Sequence, residues 1–416
     1  MFKISYLLVL YFFCSSLQAE IFDLGGMYTQ HYRDGRYADW GKYSRIGAQI
    51  AIKNINDNKI LGEDKLRMTP ENIIDYHCWV ENVDAMMKTL IAKPIIAITG
   101  AECSEPATLM AQLGEQYKIP IISYGANASE LSSTNKYPWF VRVVSPSEFY
   151  EGYLIQLAAE FGIKDIGYFH TTDAWGSGAN KVVQSATKIN GINIIKKYAF
   201  ERDTKQAILD AYINDAKIMG IKHIVITTPT PDTVRLFKSI DKHAMNLAGN
   251  TIYAAELILD NESLDAVNGS IGYFAPIARL VMSKNLQTYM NDFSVFSGEN
   301  IDIESGNLIY SALSYDHIML IAMTINLLKI NDKEITRENI NNYIRNVKFD
   351  GISGNISFSK GSNDRQNMPI QIMNSHGISD NGKMNFVKIA EINQNTGQLE
   401  VYKDKILWPG KTKNYP

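Results

Sequence analysis

Cysteine is scarce in this chain: three residues in 416, Cys14, Cys78 and Cys103. They form no CxxC pair, and no two of the seven histidines stand at metal-ligand spacing. A structural zinc site and dithiol redox chemistry are therefore argued against, and no cofactor is expected. Charge of one sign is equally lacking: 41 Lys and Arg balance 44 Asp and Glu, with no basic block. Nucleic acid and an anionic membrane surface are poor partners for such a chain. Beyond the first residues, no stretch of eighteen apolar residues runs without a charge, so a soluble mature chain is expected. A GxSxG elbow is missing too, around Ser104 and around the "GSG" at Gly176–Gly178. That argues against a serine hydrolase.

What is present begins with "MFKISYLLVLYFFCSSLQAE", which reads as a secretory signal over residues 1–19. Lys3 is the positive n-region, Ile4 to Phe13 the apolar core, and Leu17-Gln18-Ala19 the peptidase site before Glu20. The apolar run is short for a bilayer span, which favours cleavage over anchoring. Cys14 raises a lipoprotein alternative, against which stands the bulk of Phe13. Cleavage leaves Cys78 and Cys103 in an exported protein, and the pair reads as one disulfide.

Roughly four hundred residues remain, enough for two domains. Strand-like runs alternate with helix-like segments, the pattern of α/β parallel sheets. One βα series runs from "EIFDLGGMY" to "PIISYG", and a second of similar size from "EFYEGYLIQLAAEFG" to "TIYAAE". In "SRIGAQIAIKNIN", Ile46, Ile50, Ala51 and Ile55 follow the rhythm of one buried helix face. The fold class is therefore α/β, with two similar doubly wound parallel-sheet lobes. Lobe 1 is expected over 20–144 and 275–351, and lobe 2 over 145–274 and 352–416. The remainder, with the apolar helix "SYDHIMLIAMTINLLK" and a β-rich tail, returns to complete both.

Ligands of parallel sheets bind outside the carboxyl ends of strands. Gly100–Ser104, Tyr124–Asn127, Thr171–Trp175 and Ala254–Glu256 all fall there. Ser104, ahead of Glu105-Pro106, reads as a helix N-cap whose end attracts a carboxylate, or as a cap that binds nothing. A nucleophile at Ser104 or Cys103 is the competing enzyme reading, and it lacks a base at recognisable spacing. Trp40 and Trp175, in Gly-bearing stretches read as turns, either line a site or pack over their own domains. Glu256 meets an ammonium, a local basic group or water.

"WGKYSRIGAQIAIKNIN", "ECSEPA", "PIISYGANASELS", "VRVVSPSE", "DAWGSG" and "GISGNISFS" together resemble the type 1 periplasmic ligand-binding proteins. Most similar are the leucine/isoleucine/valine-binding proteins of ABC transporters, and the ectodomains of metabotropic glutamate receptors share the pattern. The ending "ILWPG" resembles the segment that closes many receptor-type members. The resemblance covers nearly the whole mature chain. It implies three hinge crossings and an amino acid held between the lobes of a periplasmic, usually monomeric, non-enzymatic binding protein.

By motif, the resemblance places the ligand carboxylate on Ser104 and Asn127, with backbone from Cys103 and Ala126. Trp175 would close over the ligand, Glu256 would meet its ammonium, and Trp40 takes the first-lobe "WG" position. It also pairs Cys78 with Cys103. Asn127 stands where threonine is common, and a second-lobe aromatic is missing near Thr230, so the side-chain pocket departs from the leucine type. The function implied is capture of an amino acid or amide- or urea-like compound for delivery to ABC permease subunits. The alternative is a sensor docking on a membrane receptor or kinase.

Overall fold

A computed structural model describes residues 19–146, 149–257, 266–301, 303, 306–380, 384–392 and 398–413. The expected leader, Cys14 included, lies outside the described residues apart from Ala19. So do Ser147 and Glu148 of "VRVVSPSE".

The first sheet starts with β1 (Ile21–Tyr28), buried from Phe22 onward. Such continuous burial suits a parallel strand covered on both faces, with Asp23 paired to Arg67. Helix α1 (Asp39–Asp57) then buries Ile50, Ala51 and Ile55 on one face, while Ile46 is half-buried. Strands β2 (Lys65–Arg67) and β3 (Ile73–Asp75) pair in parallel with successive halves of the same edge of β1. After α2 (Val83–Ile91) come β4 (Ile95–Gly100), α3 (Ser104–Tyr117), β5 (Ile121–Ser123) and β6 (Phe140–Arg142). The main order is β2-β1-β4-β5-β6, parallel throughout. Gly100, at φ +103°, ends β4 where an added Cβ would lie 2.0 Å from the Met27 oxygen. A side chain there would part the sheet at the edge where the functional turns begin.

Helix α4 (Glu151–Glu160) leads into the second sheet: β7 (Asp165–Thr171), α5 (Ala174–Asn190), β8 (Asn193–Phe200), α6 (Gln206–Ile218) and β9 (His223–Thr227). It continues through α7 (Thr230–Lys242), β10 (Thr251–Ala254), α8 (Val267–Ser270) and β11 (Phe274–Ala278). Helix α5 shows both ends of a well-specified helix. Asp173 accepts the Gly176 N–H at its start, and Gly191 closes it at φ +64°.

The chain then returns to the first lobe. Helices α9 (Lys284–Ser297) and α10 (Gly306–Ile330) pack along α1, and α11 (Arg337–Tyr343) reaches β4. At the crossing of α1 and α10, a Cβ on Gly47 would lie 2.1 Å from the Ser311 oxygen, so only glycine permits the approach. By length and composition α10 is apolar enough to cross a membrane, yet 83% of its most apolar window is buried in the protein. It is a core helix. Its Asp316 accepts the N–H groups of Ile352 (2.9 Å) and Ser353 (2.8 Å). That clamps the turn of a hairpin, β12 (Phe349–Gly351) with β13 (Gly354–Ile356). Finally β14 (Ile370–Ile378), β15 (Met384–Ile392) and β16 (Leu399–Val401) extend the second sheet, antiparallel to β11 and to one another.

Two expected boundaries differ from this topology. The return expected at 275 falls after Ala278, because β11 pairs with β10 in the second sheet. The division expected at 351/352 cuts the β12–β13 hairpin, which is held as one unit on α10. Between β13 and β14 the chain also stays tied to the first lobe. Arg142, fully buried, bonds Asp364 (2.7 Å) and the carbonyls of Ala126 (2.9 Å) and Ala128 (2.8 Å).

Candidate functional site

The carboxyl ends of the parallel strands of both sheets face one another across a cavity of about 150 Å³. A cavity of about that volume in a protein core holds one benzene ring, so the scale is that of a small molecule. The first lobe contributes Glu102–Pro106 after β4 and Tyr124, Gly125 and Asn127 after β5. The second contributes Asp173 and Trp175 after β7, Arg202 after β8, Pro229–Pro231 after β9 and Ala255–Leu257 after β10. Of the seven site residues read from the sequence, Trp40, Cys103, Ser104, Asn127, Trp175 and Glu256 line the cavity.

Ser104 is the first residue of α3, one position past the expected cap, and Cys103 occupies the N-cap without a side-chain capping bond. The Ser104 hydroxyl oxygen instead accepts the backbone N–H groups of Asn127 (3.2 Å) and Ala128 (3.1 Å). A hydroxyl has two lone pairs and one proton. With both lone pairs engaged by the β5 turn, its proton is directed to other acceptors, such as Asn127 Oδ1 at a long 3.5 Å or a ligand oxygen. The serine so fuses the two turns into one unit.

Backbone from Cys103 and Ala126 does not stand ready for a ligand, contrary to expectation. The Cys103 N–H donates to the Tyr76 hydroxyl (3.0 Å). The Ala126 N–H donates to Ser123 Oγ (3.0 Å), and its carbonyl accepts from Arg142. Both groups serve the turn itself. Cys103 is disulfide-bonded to Cys78, with Cα atoms 5.5 Å apart, as the cysteine count implied.

Trp40 and Trp175 stand in the first turns of α1 and α5, not in loops. The glycines beside them mark close packing: a Cβ on Gly41 would lie 1.8 Å from the Thr29 oxygen, and one on Gly176 2.2 Å from the Thr171 oxygen. Trp40 donates its Nε1–H to the Tyr32 hydroxyl (2.7 Å) and packs 5.9 Å from the Tyr310 ring. Trp175 is 6% exposed, and its Nε1 has no hydrogen-bond partner among the described residues. It belongs to second-lobe α5 yet packs in the apolar cluster of the first lobe with Ala101, Ala126 and Ala128. The lobes are closed on each other here. Thr230, where the aromatic is missing, is the first residue of α7 and lines the cavity.

Two residues that the sequence reading passed over are prominent. Arg202, just past β8, donates to the Cys78 carbonyl (3.2 Å) and meets Glu105 (3.5 Å). Its guanidinium lies 4.4 Å from the Trp79 ring centroid, and Arg33 lies 4.9 Å from the same ring. The second lobe thus grips the disulfide corner of the first. Its signal was positional, since "ERD" follows a strand as the other candidates do. Glu102, inside the "ECSEPA" motif, is 6% exposed and accepts the Thr29 N–H at 2.7 Å through Oε1. The Thr29 and Tyr76 hydroxyls also hydrogen-bond its buried carboxyl. Burial pushes its pKa up to about 7. Glu105 is raised as well, first by burial and then by Asp173, against the pull of Arg202.

Two α/β lobes closing strand ends over a small cavity define a two-lobed ligand-binding protein. The chain belongs to the receptor family ligand binding region, whose model matches residues 44–378. Its fold is accordingly of the type 1 periplasmic-binding-protein kind. Similar proteins include metabotropic glutamate receptor-like protein E of Dictyostelium discoideum, 23% identical over 338 residues (79% of this chain, 40% of the relative). Glutamate receptor 2.7 of Arabidopsis thaliana is 21% identical over 377 residues (81% and 38%). Metabotropic glutamate receptor 6 of Rattus norvegicus is 27% identical over 160 residues (38% and 18%). The chain thus spans about two-fifths or less of the length of these relatives.

Proposed function

We propose that the chain is an exported sensor domain. It captures an amino acid or amino-acid-like compound between its lobes and reports closure to a membrane receptor or kinase. The observation that carries this reading is the inter-lobe cavity with hydrogen-bond donors from both lobes and a carboxylate lining it from the second. A zwitterion needs an anion site and a cation site on opposite walls. The Ser104 hydroxyl and the Trp175 N–H suit a carboxylate, and Glu256 suits the α-ammonium. A ligand that touches both lobes stabilises the closed state by contacts the open state lacks.

The relatives carry receptor names, which favours sensing over the expected delivery to an ABC permease; permease partners find no support among them. A bond-making role is the weaker reading. The Cys103 thiol is consumed in the disulfide, and the Ser104 oxygen is engaged by backbone N–H groups, with no base among its partners in the described residues. Thermal shift across the twenty amino acids and their amides is the test. Stabilisation by a subset is expected, and no stabilisation by any ends the amino-acid reading. For the output, ligand-loaded and ligand-free protein are crosslinked to membranes of the source cells; recovery of permease subunits alone would overturn sensing.

A further inference from the structure

We propose that Trp79, which stands outside the ligand cavity, is the latch that holds the closed lobes, and that the Cys78–Cys103 disulfide positions it. Together they set how long a captured molecule is retained without touching it. The proposal rests on capture by closure, as read above, and not on the ligand being an amino acid.

The corner that carries Trp79 is built against local preference. His77 and Cys78 stand at φ +57° and +53°, a left-handed conformation uncommon for residues with side chains. The backbone there is braced: Asp75 accepts the His77 N–H (3.1 Å) and the Tyr76 carbonyl accepts the Trp79 N–H (3.1 Å). The disulfide ties the same corner to Cys103, at the N-cap of α3. These ties present the Cys78 carbonyl and the Trp79 ring as one face. Arg202 of the second lobe lands on both, 3.2 Å from the carbonyl oxygen and 4.4 Å from the ring centroid.

Arg33 of the first lobe lies 4.9 Å from the same ring centroid. Two guanidiniums at one ring repel unless each is matched. Each is met by an acid of the opposite lobe, Arg202 by Glu105 at 3.5 Å and Arg33 by Asp203 at 4.0 Å. The two are not equal in worth. The Arg33 and Asp203 side chains are 57% and 71% exposed, and an ion pair so exposed contributes little. The Arg202 side chain is 12% exposed, and a cation–π contact strengthens as its cation is desolvated. Arg202 on Trp79 is therefore the main contact of the latch. Trp79 lines a separate crevice of about 180 Å³ between the lobes. Its contact with Arg202 forms only when the lobes meet, so it acts on release and not on encounter.

The test is single-molecule energy transfer in the mature protein. Dyes on the exposed positions Lys53→Cys, in the first lobe, and Lys188→Cys, in the second, report open and closed populations. Spectra are taken alone and with glycine, L-leucine, L-glutamine, L-glutamate or L-lysine. In Trp79→Ala the closed-to-open ratio should fall about three- to thirty-fold, the worth of a cation–π contact from exposed to desolvated. The closed dwell time should shorten while the rate of closing holds. Trp79→Phe, which keeps a ring, should recover part of the loss. Trp79→Ala and Arg202→Ala combined should cost less than the product of their separate effects, which a merely structural role for Trp79 does not give. Replacing Cys78 and Cys103 with serine should lower the ratio and shrink the effect of Arg202→Ala. An unchanged closed population in Trp79→Ala with native circular dichroism overturns the proposal, as do multiplicative effects of the pair or a wild type that never closes. Should Trp79→Ala fail to fold, an unchanged closed dwell time in Arg202→Ala overturns it instead. An Arg202→Ala effect undiminished without the disulfide overturns the positioning role of that bond. Closure promoted by none of the five amino acids ends the amino-acid reading, while the Trp79 dependence of spontaneous closure still decides the latch.

Discussion

Glu102 carries a pH signature. Its carboxyl titrates near 7 in the fold against 4.5 in an ordinary setting, chiefly because it is buried. A raised carboxyl pKa contributes stability that is complete below about 4.5 and lost as pH rises through about 7, at about 1.4 kcal/mol per pH unit. Wild type should therefore lose about 3 kcal/mol over that window relative to Glu102→Gln, read from urea midpoints at each pH. The difference is the right readout because buried His317 acts oppositely. Its pKa is held down near 3 by burial, so its contribution is present above about 6.5 and lost as pH falls. If the two curves stay parallel from pH 4 to 8, Glu102 does not titrate as described. Ser104→Ala removes the acceptor for two backbone N–H groups and the donor to the cavity together. It should cost about 1–3 kcal/mol of stability and weaken amino-acid binding at least about ten-fold. An unchanged dissociation constant would remove Ser104 from the carboxylate site.

Strands and helices were largely legible as elements, because apolar runs and helical spacing are local. The strand "PIIAITG" became β4 and "SGANKVVQSATKIN" fell within α5. What failed to read locally was decided by partners far away in sequence. Trp40 and Trp175 looked like turn residues because glycine follows each, yet those glycines exist for backbone packing inside helix first turns. Ser104 is bonded across 23 and 24 residues, to Asn127 and Ala128, a pairing that no capping motif announces. Arg202 matters only because closure brings the β8 end to Cys78. The disulfide was readable from a count of two cysteines. It joins residues 25 apart, and replacing both cysteines with serine should cost about 3.5 kcal/mol by the loop-entropy argument. Reversible urea unfolding of the double variant measures it, and a loss under 1 kcal/mol would mean that the α3 turn does not need the bond.

Among the described residues, contacts that hold the lobes together include Trp175 in the first lobe's cluster, α5 against α3, and Arg202 on Trp79, Glu105 and the Cys78 carbonyl. Opening must release these contacts, while the segment at 363–365 stays tied to the first lobe by Arg142, and Arg365 bonds the Ser353 carbonyl. Arg202→Ala should then speed ligand release about ten-fold and leave the association rate nearly unchanged, since affinity differences within one interface reside mainly in dissociation. Stopped-flow fluorescence of the tryptophans reads both rates, and a slowed association with unchanged release would assign Arg202 to steering instead. Helix α10 has a consequence at an earlier stage of the protein's life. In the exported domain proposed above, a 25-residue apolar segment crossing a secretion channel unfolded would be a candidate for sideways escape into lipid. Asp316 sits near its middle, where a charge costs about 3 kcal/mol on the insertion scale. On the proposed export route, the carboxylate that clamps the β12–β13 turn therefore also disfavours lipid insertion of this segment.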